Sequence, residues 1–457
     1  MSMPAKHLIS HPTLADLLRG FADAPAIEIN EISSDSRSLE SGHLFIAVGG
    51  ERSHGLDYLA DAVAAGVSAI AWDSSTADAP DDAVGVPMIG VPDLARHVGE
   101  IANRFYDSPS ASVKVTGVTG TNGKTTVAWL MAQCRELLQQ HCGYVGTLGA
   151  GVGEIQSASG MTTPDVIELH KCLADFRDAE ASHAAIEVSS HALDQGRVDG
   201  VQFDTVLFTN LSRDHLDYHG DMQSYADAKA KLFVDYPARH RIINIDTDFG
   251  EELAGRCGPD AIAVATCCDR VARKGRHVCA RTVVAGPEGS HVAFQSSWGD
   301  GELRIPLPGE FNVANGLIVL AALLADGVSI ADACRVLESV TAPPGRMENV
   351  PAPAGAPTVY IDFAHTPEAL NVALSALRPH CANELWCVFG CGGDRDPGKR
   401  PAMGQLAELR ADRLVITSDN PRSEAPDLII DQIVQGLSEP DGAMVIEDRA
   451  AAIAWAI

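Results

Sequence analysis

The sequence predicts an α/β protein of three domains, and three observations carry that reading. Short β-branched runs alternate with helical apolar periodicity along the whole 457-residue chain. Two bridges rich in Pro, Ser or Gly interrupt the alternation, Asp107-Ser108-Pro109-Ser110 and Ala342-Pro343-Pro344-Gly345-Arg346 through Ala356-Pro357. The apolar fraction, 46%, suffices for several cores and argues against disorder. The expected divisions are a small N-terminal α/β domain over 1–108, a central parallel-sheet domain over 109–344 and a second parallel-sheet unit over 345–457.

In the first segment, expected strands Ile27–Ile32, Leu44–Val48, Ala69–Trp72 and Pro87–Val91 alternate with helices Leu14–Phe21, Tyr58–Ala65 and Leu94–Tyr106. The turn Ser33-Ser34-Asp35-Ser36-Arg37 and the loop Gly49-Gly50-Glu51-Arg52-Ser53-His54-Gly55 place hydroxyls beside an arginine. Such turns can grip a sugar or nucleotide, and equally they can be turns and nothing more.

The central segment opens on Val113 to Val127, V-K-V-T-G-V-T-G-T-N-G-K-T-T-V. A β-branched strand, the loop Gly120-Thr121-Asn122-Gly123, and Lys124-Thr125-Thr126 at a helix start form a phosphate cradle. The glycines admit backbone N–H groups to the phosphate, Lys124 neutralises charge, and the Thr125 hydroxyl can reach Mg²⁺. The strict P-loop pattern needs Gly where Val118 stands, so this is a variant loop. Asp165, after Thr162-Thr163-Pro164, reads as a helix cap. Expected strands Ala184–Val188 and Val206–Thr209 deliver Glu187, Ser189 and His191, then Asn210 to His215, at their carboxyl ends. Ligands of open α/β sheets collect there. Lys124/Thr125, Glu187 and His215 therefore suggest one nucleotide–metal site, although His215 read alone is a surface histidine. Lys229 and Lys231 lie in a helix over Tyr225–Phe233 and cannot share a face. Residues 258–306 read as β-rich, and Asn312 at the start of the apolar helix Val313–Leu324 as a possible cap.

The last segment repeats the alternation: Val359–Asp362, Pro367–Leu377, Leu385–Gly390, Pro401–Glu408, Arg413–Thr417, Leu428–Gly436. Asp362, His365, the turn Gly390-Cys391-Gly392-Gly393-Asp394-Arg395-Asp396 and Asp419-Asn420-Pro421-Arg422 fall at strand ends. With no G-x-G-x-x-G, the glycine turn does not indicate a dinucleotide. Arg395 and Arg422 are candidates to grip a carboxylate through both amino groups, or solvated surface arginines.

Composition narrows the partners. Net charge is −27, which argues against nucleic acid, whose phosphates need clustered Lys and Arg. No apolar run reaches the roughly 18 residues of a membrane span, and no signal peptide is expected. Eleven cysteines without a C-x-x-C pair fit reduced thiols in a cytoplasmic chain, with no metal role at Cys267-Cys268 or at Cys381, Cys387 and Cys391.

Together the motifs resemble those of the Mur ligases, ATP-dependent amide-bond ligases of peptidoglycan synthesis. The matching stretches are G-T-N-G-K-T-T at 120–126, T-T-P-D at 162–165, E-V-S-S-H-A-L at 187–193, N-L-S-R-D-H-L-D-Y-H-G at 210–220, G-x-F-N-x-x-N at 309–315, P-G-R-M-E at 344–348 and D-F-A-H-T-P at 362–367. D-S-R at 35–37, Y-x-x-A-K-A-x-L-F at 225–233, G-C-G-G-D-R-D and D-N-P-R are similar to those of members that add diaminopimelate. Lysine carries no second carboxylate for Arg422 to pair with. The resemblance implies a P-loop ATPase-like central domain and a Rossmann-like C-terminal domain, incomplete at its end because a further strand and a G-K-G-H-E motif are expected beyond Ile457.

It further implies that Ser34, Ser36, Glu51, Arg52 and Ser53 hold the UDP end of UDP-N-acetylmuramoyl-dipeptide. Thr162, Thr163, Ser189, Gln195 and Arg197 would hold its muramoyl-dipeptide, with Met161 standing where a relative can have Asn. Gly120 to Thr126 would bind ATP phosphates, with Mg²⁺ near Thr125, Glu187, His215 and a carbamylated Lys229. Asn312, Arg346, Asp362 and His365 would address the rest of ATP. Arg395, Asp419, Asn420, Pro421 and Arg422 would bind diaminopimelate. A cytoplasmic monomer that closes about hinges is expected. Rival readings are a lysine-adding or folylpolyglutamate synthase-like ligase, and an ATP-switched binding protein that ligates nothing.

Overall fold

The computed structural model describes residues 11–50, 53–79, 85–156, 160–271, 275–286, 289–353 and 355–457. In chain order its strands are β1 Glu31–Ser33, β2 His43–Ala47, β3 Ala69–Asp73, β4 Met88–Val91, β5 Lys114–Thr119, β6 Cys142–Gly146, β7 Gly149–Val152, β8 His183–Glu187, β9 Phe203–Phe208, β10 Ala238–Asn244, β11 Ala261–Ala265, β12 Arg276–Gly286, β13 Gly289–Ser296, β14 Gly301–Ile305, β15 Glu348–Val350, β16 Val359–Ile361, β17 Trp386–Phe389, β18 Arg413–Ile416 and β19 Ala443–Val445. The helices are α1 Leu14–Leu17, α2 Leu59–Ala65, α3 Leu94–Phe105, α4 Lys124–Leu137, α5 Val166–Asp178, α6 Ser190–Asp194, α7 Leu216–His219, α8 Met222–Val234, α9 Asp248–Cys257, α10 Glu310–Ala325, α11 Ile330–Leu337, α12 Pro367–Leu377, α13 Lys399–Arg410, α14 Pro426–Val434 and α15 Arg449–Ala456. The sheets are β1-β2-β3-β4, β14-β13-β12-β11-β10-β9-β5-β8-β6-β7, the pair β15-β16, and β17-β18-β19. Packing groups the chain into two compact units, one holding the residues up to Lys124 with 139–207 and 212–241, the other 125–138, 208–211 and 242–457.

In the first unit, β1 to β4 run parallel. The period-two alternation of a strand sends Leu44, Ile46, Ala69 and Ala71 to a core with α1 and α3, and Phe45, Ala47, Ile70 and Trp72 to a core with α2. Helix α3 presents Leu94, Val98, Ile101, Ala102 and Phe105 as its buried stripe. Helix α1 is shorter than expected because the chain turns at Gly20, at φ 85°. Glu28 makes only an isolated bridge to Thr13, so the first strand shrinks to β1. Within the same unit β5 pairs parallel with β8, opposing Val118 to Glu187, and β8 pairs parallel with β6. Asp165 caps α5 as predicted, its Oδ1 accepting the N–H groups of Ile167 and Glu168 at 3.0 Å.

In the second unit, β12 to β14 form an antiparallel meander. Helix α10 is apolar on all sides and buried along most of its length. Its cap position is Gly309, and Asn312 lies inside the first turn with Nδ2 donating to Pro308 O at 2.8 Å, which corrects the reading of Asn312 as a cap. The strands β17, β18 and β19 are parallel, as expected of the last segment. The expected strand Val359–Asp362 instead pairs antiparallel with β15 and lies outside that sheet. One cysteine expectation fails: Cys268 and Cys279 are joined as a disulfide, while the other nine are free. Among the described residues no helix is long and apolar enough to cross a membrane.

Candidate active site

Strand β5 ends at Thr119, and Gly120 (φ 149°) and Gly123 (φ 84°) shape the loop before α4. Val118 is fully buried inside the strand, so the loop begins two residues after the position where the strict pattern has Gly. Thr121 Oγ1 donates to Ser212 O at 3.2 Å and accepts Ser212 N–H at 3.0 Å, which staples the loop to the 210–220 stretch. Lys124 Nζ donates to Gly120 O at 2.9 Å and Thr121 O at 3.0 Å. Lys229 Nζ reaches the same Gly120 carbonyl at 2.9 Å and lies 4.3 Å from the Tyr225 ring centre. Lys231, two positions on, points elsewhere and pairs with Asp194 at 2.9 Å. Lys229 is only 1% exposed. Burial, then the Lys124 charge, holds its ammonium well below the ordinary lysine range.

Glu187 is fully buried at the end of β8. Its Oε1 accepts Tyr144 OH at 2.5 Å and Thr147 N–H at 2.9 Å, and Oε2 accepts Thr147 Oγ1 at 3.3 Å. A Cβ on Gly146 would come within 2.1 Å of Oε1, so the glycine makes room for the carboxylate. His215, at φ 51°, stands edge-on to His191 with ring centres 4.9 Å apart, and His191 lies 5.4 Å from His219. Burial, then the neighbouring His215 and His219, lowers His191. Thr163 is fully buried and donates to Glu187 O at 2.7 Å. It accepts Ser189 N–H at 3.1 Å, and its carbonyl accepts Arg197 Nη1 at 3.0 Å. Arg197 Nε also donates to Gln195 Oε1 at 2.9 Å, and the Thr162 and Thr147 hydroxyls are 3.3 Å apart. The muramoyl-dipeptide candidates thus form one connected set with Glu187. Among the described residues no group of three His, Cys, Asp or Glu is placed to hold a metal ion. Of the donors named for this site, the Glu187 carboxylate and the Thr125 hydroxyl offer the hard oxygen that Mg²⁺ takes, while the His215 imidazole is a borderline donor.

Among the described residues no hydrogen bond joins Ser34, Ser36 and Ser53 to one another. Ser34 lines a cavity of about 500 Å³ whose wall carries Glu31, Asp35, Glu40, Asp165 and Glu168 against Lys171 and His43. Ser36 lies in a 3₁₀ turn outside the cavity lining, Ser53 Oγ is 3.1 Å from Tyr58 OH, and Glu51 and Arg52 lie outside the described residues.

In the second unit, Asp362 accepts Met347 N–H and Ala364 N–H, both at 2.9 Å, and Arg346 lies over the Phe363 ring at 5.3 Å. His365 Nδ1 is 3.0 Å from Phe363 O, while His365 O accepts Lys399 Nζ at 2.8 Å. Asn312 Oδ1 accepts from Asn315 Nδ2 at 3.0 Å. The glycine turn and the D-N-P-R loop pack backbone to backbone: Gly393 N–H donates to Asn420 O at 2.9 Å, and Arg422 Nη1 donates to Gly393 O at 2.6 Å. A Cβ on Gly393 would lie 1.9 Å from Pro421 O. The glycines therefore serve close approach of two loops. Arg395, Asp419, Asn420 and Arg422 are exposed there, beside the half-buried Pro421. Tyr144, Thr147, Lys399 and Arg400 were not singled out from sequence. For Lys399 and Arg400 a signal exists: cations in the first turn of a helix oppose its dipole, so something else holds them.

A lysine-bearing glycine loop at a strand-to-helix turn, on a strand that pairs parallel with its neighbour β8 in a mixed sheet, defines a phosphate-binding α/β protein. Family models match in chain order: the Mur ligase family catalytic domain over 28–106, the Mur ligase middle domain over 118–323 and the Mur ligase glutamate ligase domain over 345–457. The chain belongs to the Mur ligase family, with its three-domain α/β architecture. It is 44% identical to the UDP-N-acetylmuramoyl-L-alanyl-D-glutamate–2,6-diaminopimelate ligase of Alkalilimnicola ehrlichii, over 95% of this chain and 88% of that protein. It is 45% identical to the ligase of the same name from Pseudomonas aeruginosa, over 94% and 87%. A solved structure of a ligase of that name aligns with TM-score 0.75 at 31% identity, covering 97% of this chain and 90% of the other. A Mycobacterium tuberculosis folylpolyglutamate synthase complexed with ADP and AMPPCP, at 20% identity and TM-score 0.58 over 79% of this chain and 87% of that one, shares the fold.

Proposed function

We propose that the chain is an ATP-dependent ligase that adds 2,6-diaminopimelate to UDP-N-acetylmuramoyl-L-alanyl-D-glutamate in peptidoglycan precursor synthesis. The observation that carries it is the convergence of Lys124 and Lys229 on Gly120 O in a phosphate loop, within a chain that matches ligases so named over nearly its whole length. ATP donates its γ-phosphoryl group to the D-glutamate γ-carboxylate, giving an acyl phosphate and ADP. The diaminopimelate amine attacks the acyl carbon, phosphate leaves, and the amine's proton passes to solvent. A carboxylate meeting a triphosphate is anion meeting anion. Lys124 and the N–H groups of Gly120 to Thr126 stabilise the charge that gathers between them.

Thr125, Glu187, His215 and Lys229 are the residues that would hold Mg²⁺, whose charge would screen the phosphates. Carbamylation needs a neutral amine, and the burial and the Lys124 charge that lower Lys229 favour that form; as a carbamate it would offer oxygen to the metal. Asn312, Arg346, Asp362 and His365 address the rest of ATP. Ser34, Ser36 and Glu51 to Ser53 take the UDP end, Thr162, Thr163, Ser189, Gln195 and Arg197 the muramoyl-dipeptide, and Arg395 with Asp419 to Arg422 diaminopimelate. The domain boundaries follow at 108/109 and 344/345, in a cytoplasmic monomer. Phosphate release is expected only when ATP, the muramoyl-dipeptide nucleotide and diaminopimelate are all present, with the amide product seen by mass. Release with lysine and not diaminopimelate would replace this reading by the lysine-adding one, and ATP binding without product by the switch.

A further inference from the structure

We propose that Arg400 is a positioning residue for the amino-acid acceptor, the clamp that holds the two acceptor loops at one spacing. The inference rests on the reading that Arg395 and Asp419 to Arg422 receive diaminopimelate. Arg400 is the second residue of α13 and has no solvent exposure. Its Nη1 and Nη2 each donate to one oxygen of Glu424 at 2.8 Å, a two-bond fork. Nη1 also donates to Gln432 Oε1 at 2.7 Å, and Nη2 to Gly392 O at 3.2 Å. Glu424 Oε1 in turn accepts Asp394 N–H at 2.6 Å. One guanidinium therefore touches the glycine turn directly at Gly392, again through Glu424 at Asp394, and the segment following D-N-P-R at Glu424 itself.

A core role alone does not explain this group. Met403 and Ala407 of the same helix are buried apolar residues. A helix N-terminus disfavours a cation, and a buried charge is no better for stability than a well-packed apolar side chain. What the fork supplies is geometry. Asp394 at φ 51° and Arg422 at φ 49° sit in the left-handed region, one on each loop, a conformation retained where surrounding contacts over-determine it. Arg395 follows Asp394 directly, so the placement of its guanidinium depends on that turn. A lysine at 400 would keep the charge and lose the fork.

The test is steady-state kinetics of the full chain carrying Arg400→Lys or Glu424→Gln, with Arg422→Ala as control and a thermal midpoint for each. For both clamp variants the KM for diaminopimelate is expected to rise roughly tenfold or more, because a displacement near 1 Å is costly. The KM values for ATP and the muramoyl-dipeptide nucleotide are expected to stay within about twofold. A lowered midpoint and active fraction with an unchanged diaminopimelate KM would make Arg400 merely structural and overturn the proposal. Should Arg400→Lys not fold, Glu424→Gln decides by the same measurement. If Arg422→Ala leaves diaminopimelate use untouched, the acceptor-site reading itself fails. If Arg422→Ala impairs it and the clamp variants do not, only the clamp fails.

Discussion

Lys229 shows how function and stability oppose each other at a single residue. Its ammonium is buried and beside Lys124, so the folded chain holds that proton less tightly than the unfolded chain. Between the depressed value and the ordinary one near 10.5, the unfolded state binds more protons. The unmodified protein therefore gains stability as pH rises through that window, and bears the full cost below it. Lys229→Met is expected to abolish ligation while stabilising the fold at neutral pH by about 1 kcal/mol or more, since Gly120 O keeps its bond from Lys124. Urea titrations of wild type and variant in bicarbonate-free buffer from pH 7 to 10 check it: the difference is expected to shrink as pH rises. Lys124→Ala is expected to lower kcat by roughly 10²- to 10³-fold, as loss of one charge-stabilising donor does, with the fold intact by circular dichroism. Lys124 was legible from G-K-T-T alone. Burial of Lys229 was not, since helical spacing says only that Lys229 and Lys231 point apart, and the family resemblance named Lys229 without saying what surrounds it.

At the scale of elements, buried polar contacts decide which pieces hold together. Arg135 of α4 pairs with Asp326, the C-terminal cap of α10, at 2.9 Å, with both side chains about 5% exposed or less. Asp326→Ala would leave Arg135 buried without that carboxylate, and a loss of about 3–5 kcal/mol is expected, read as a lower urea midpoint. The sequence located most strands and helices because apolar periodicity is local. It overextended the first helix and first strand, where Gly20 and a single bridge end them. It misassigned Val359–Asp362, because a short apolar run does not say whether its partner is parallel. It could not pair Cys268 with Cys279, which are eleven residues apart along the chain and adjoin only when Cys279 is laid down in β12.

At the scale of the molecule, three sheets fall one each within 1–108, 109–344 and 345–457, with the small pair β15-β16 inside the last. The proposed ligands are distributed over these segments, so productive assembly requires the segments to come together. Small-angle scattering is expected to give a smaller radius of gyration with a nonhydrolysable ATP analogue and the muramoyl-dipeptide nucleotide than without ligand. Equal dimensions would sink the closure.

The sequence by itself determined the α/β class, the phosphate loop and the family, because each is written in contiguous residues whose spacing carries the chemistry. Only the tertiary structure decided which charges meet. Lys229 joins Lys124 at one carbonyl from 105 positions away, and Arg400 binds two loops that are separate motifs in the chain. Burial and hydrogen bonding between distant segments leave no periodic trace in the sequence, and those contacts set both the cost and the geometry of the site.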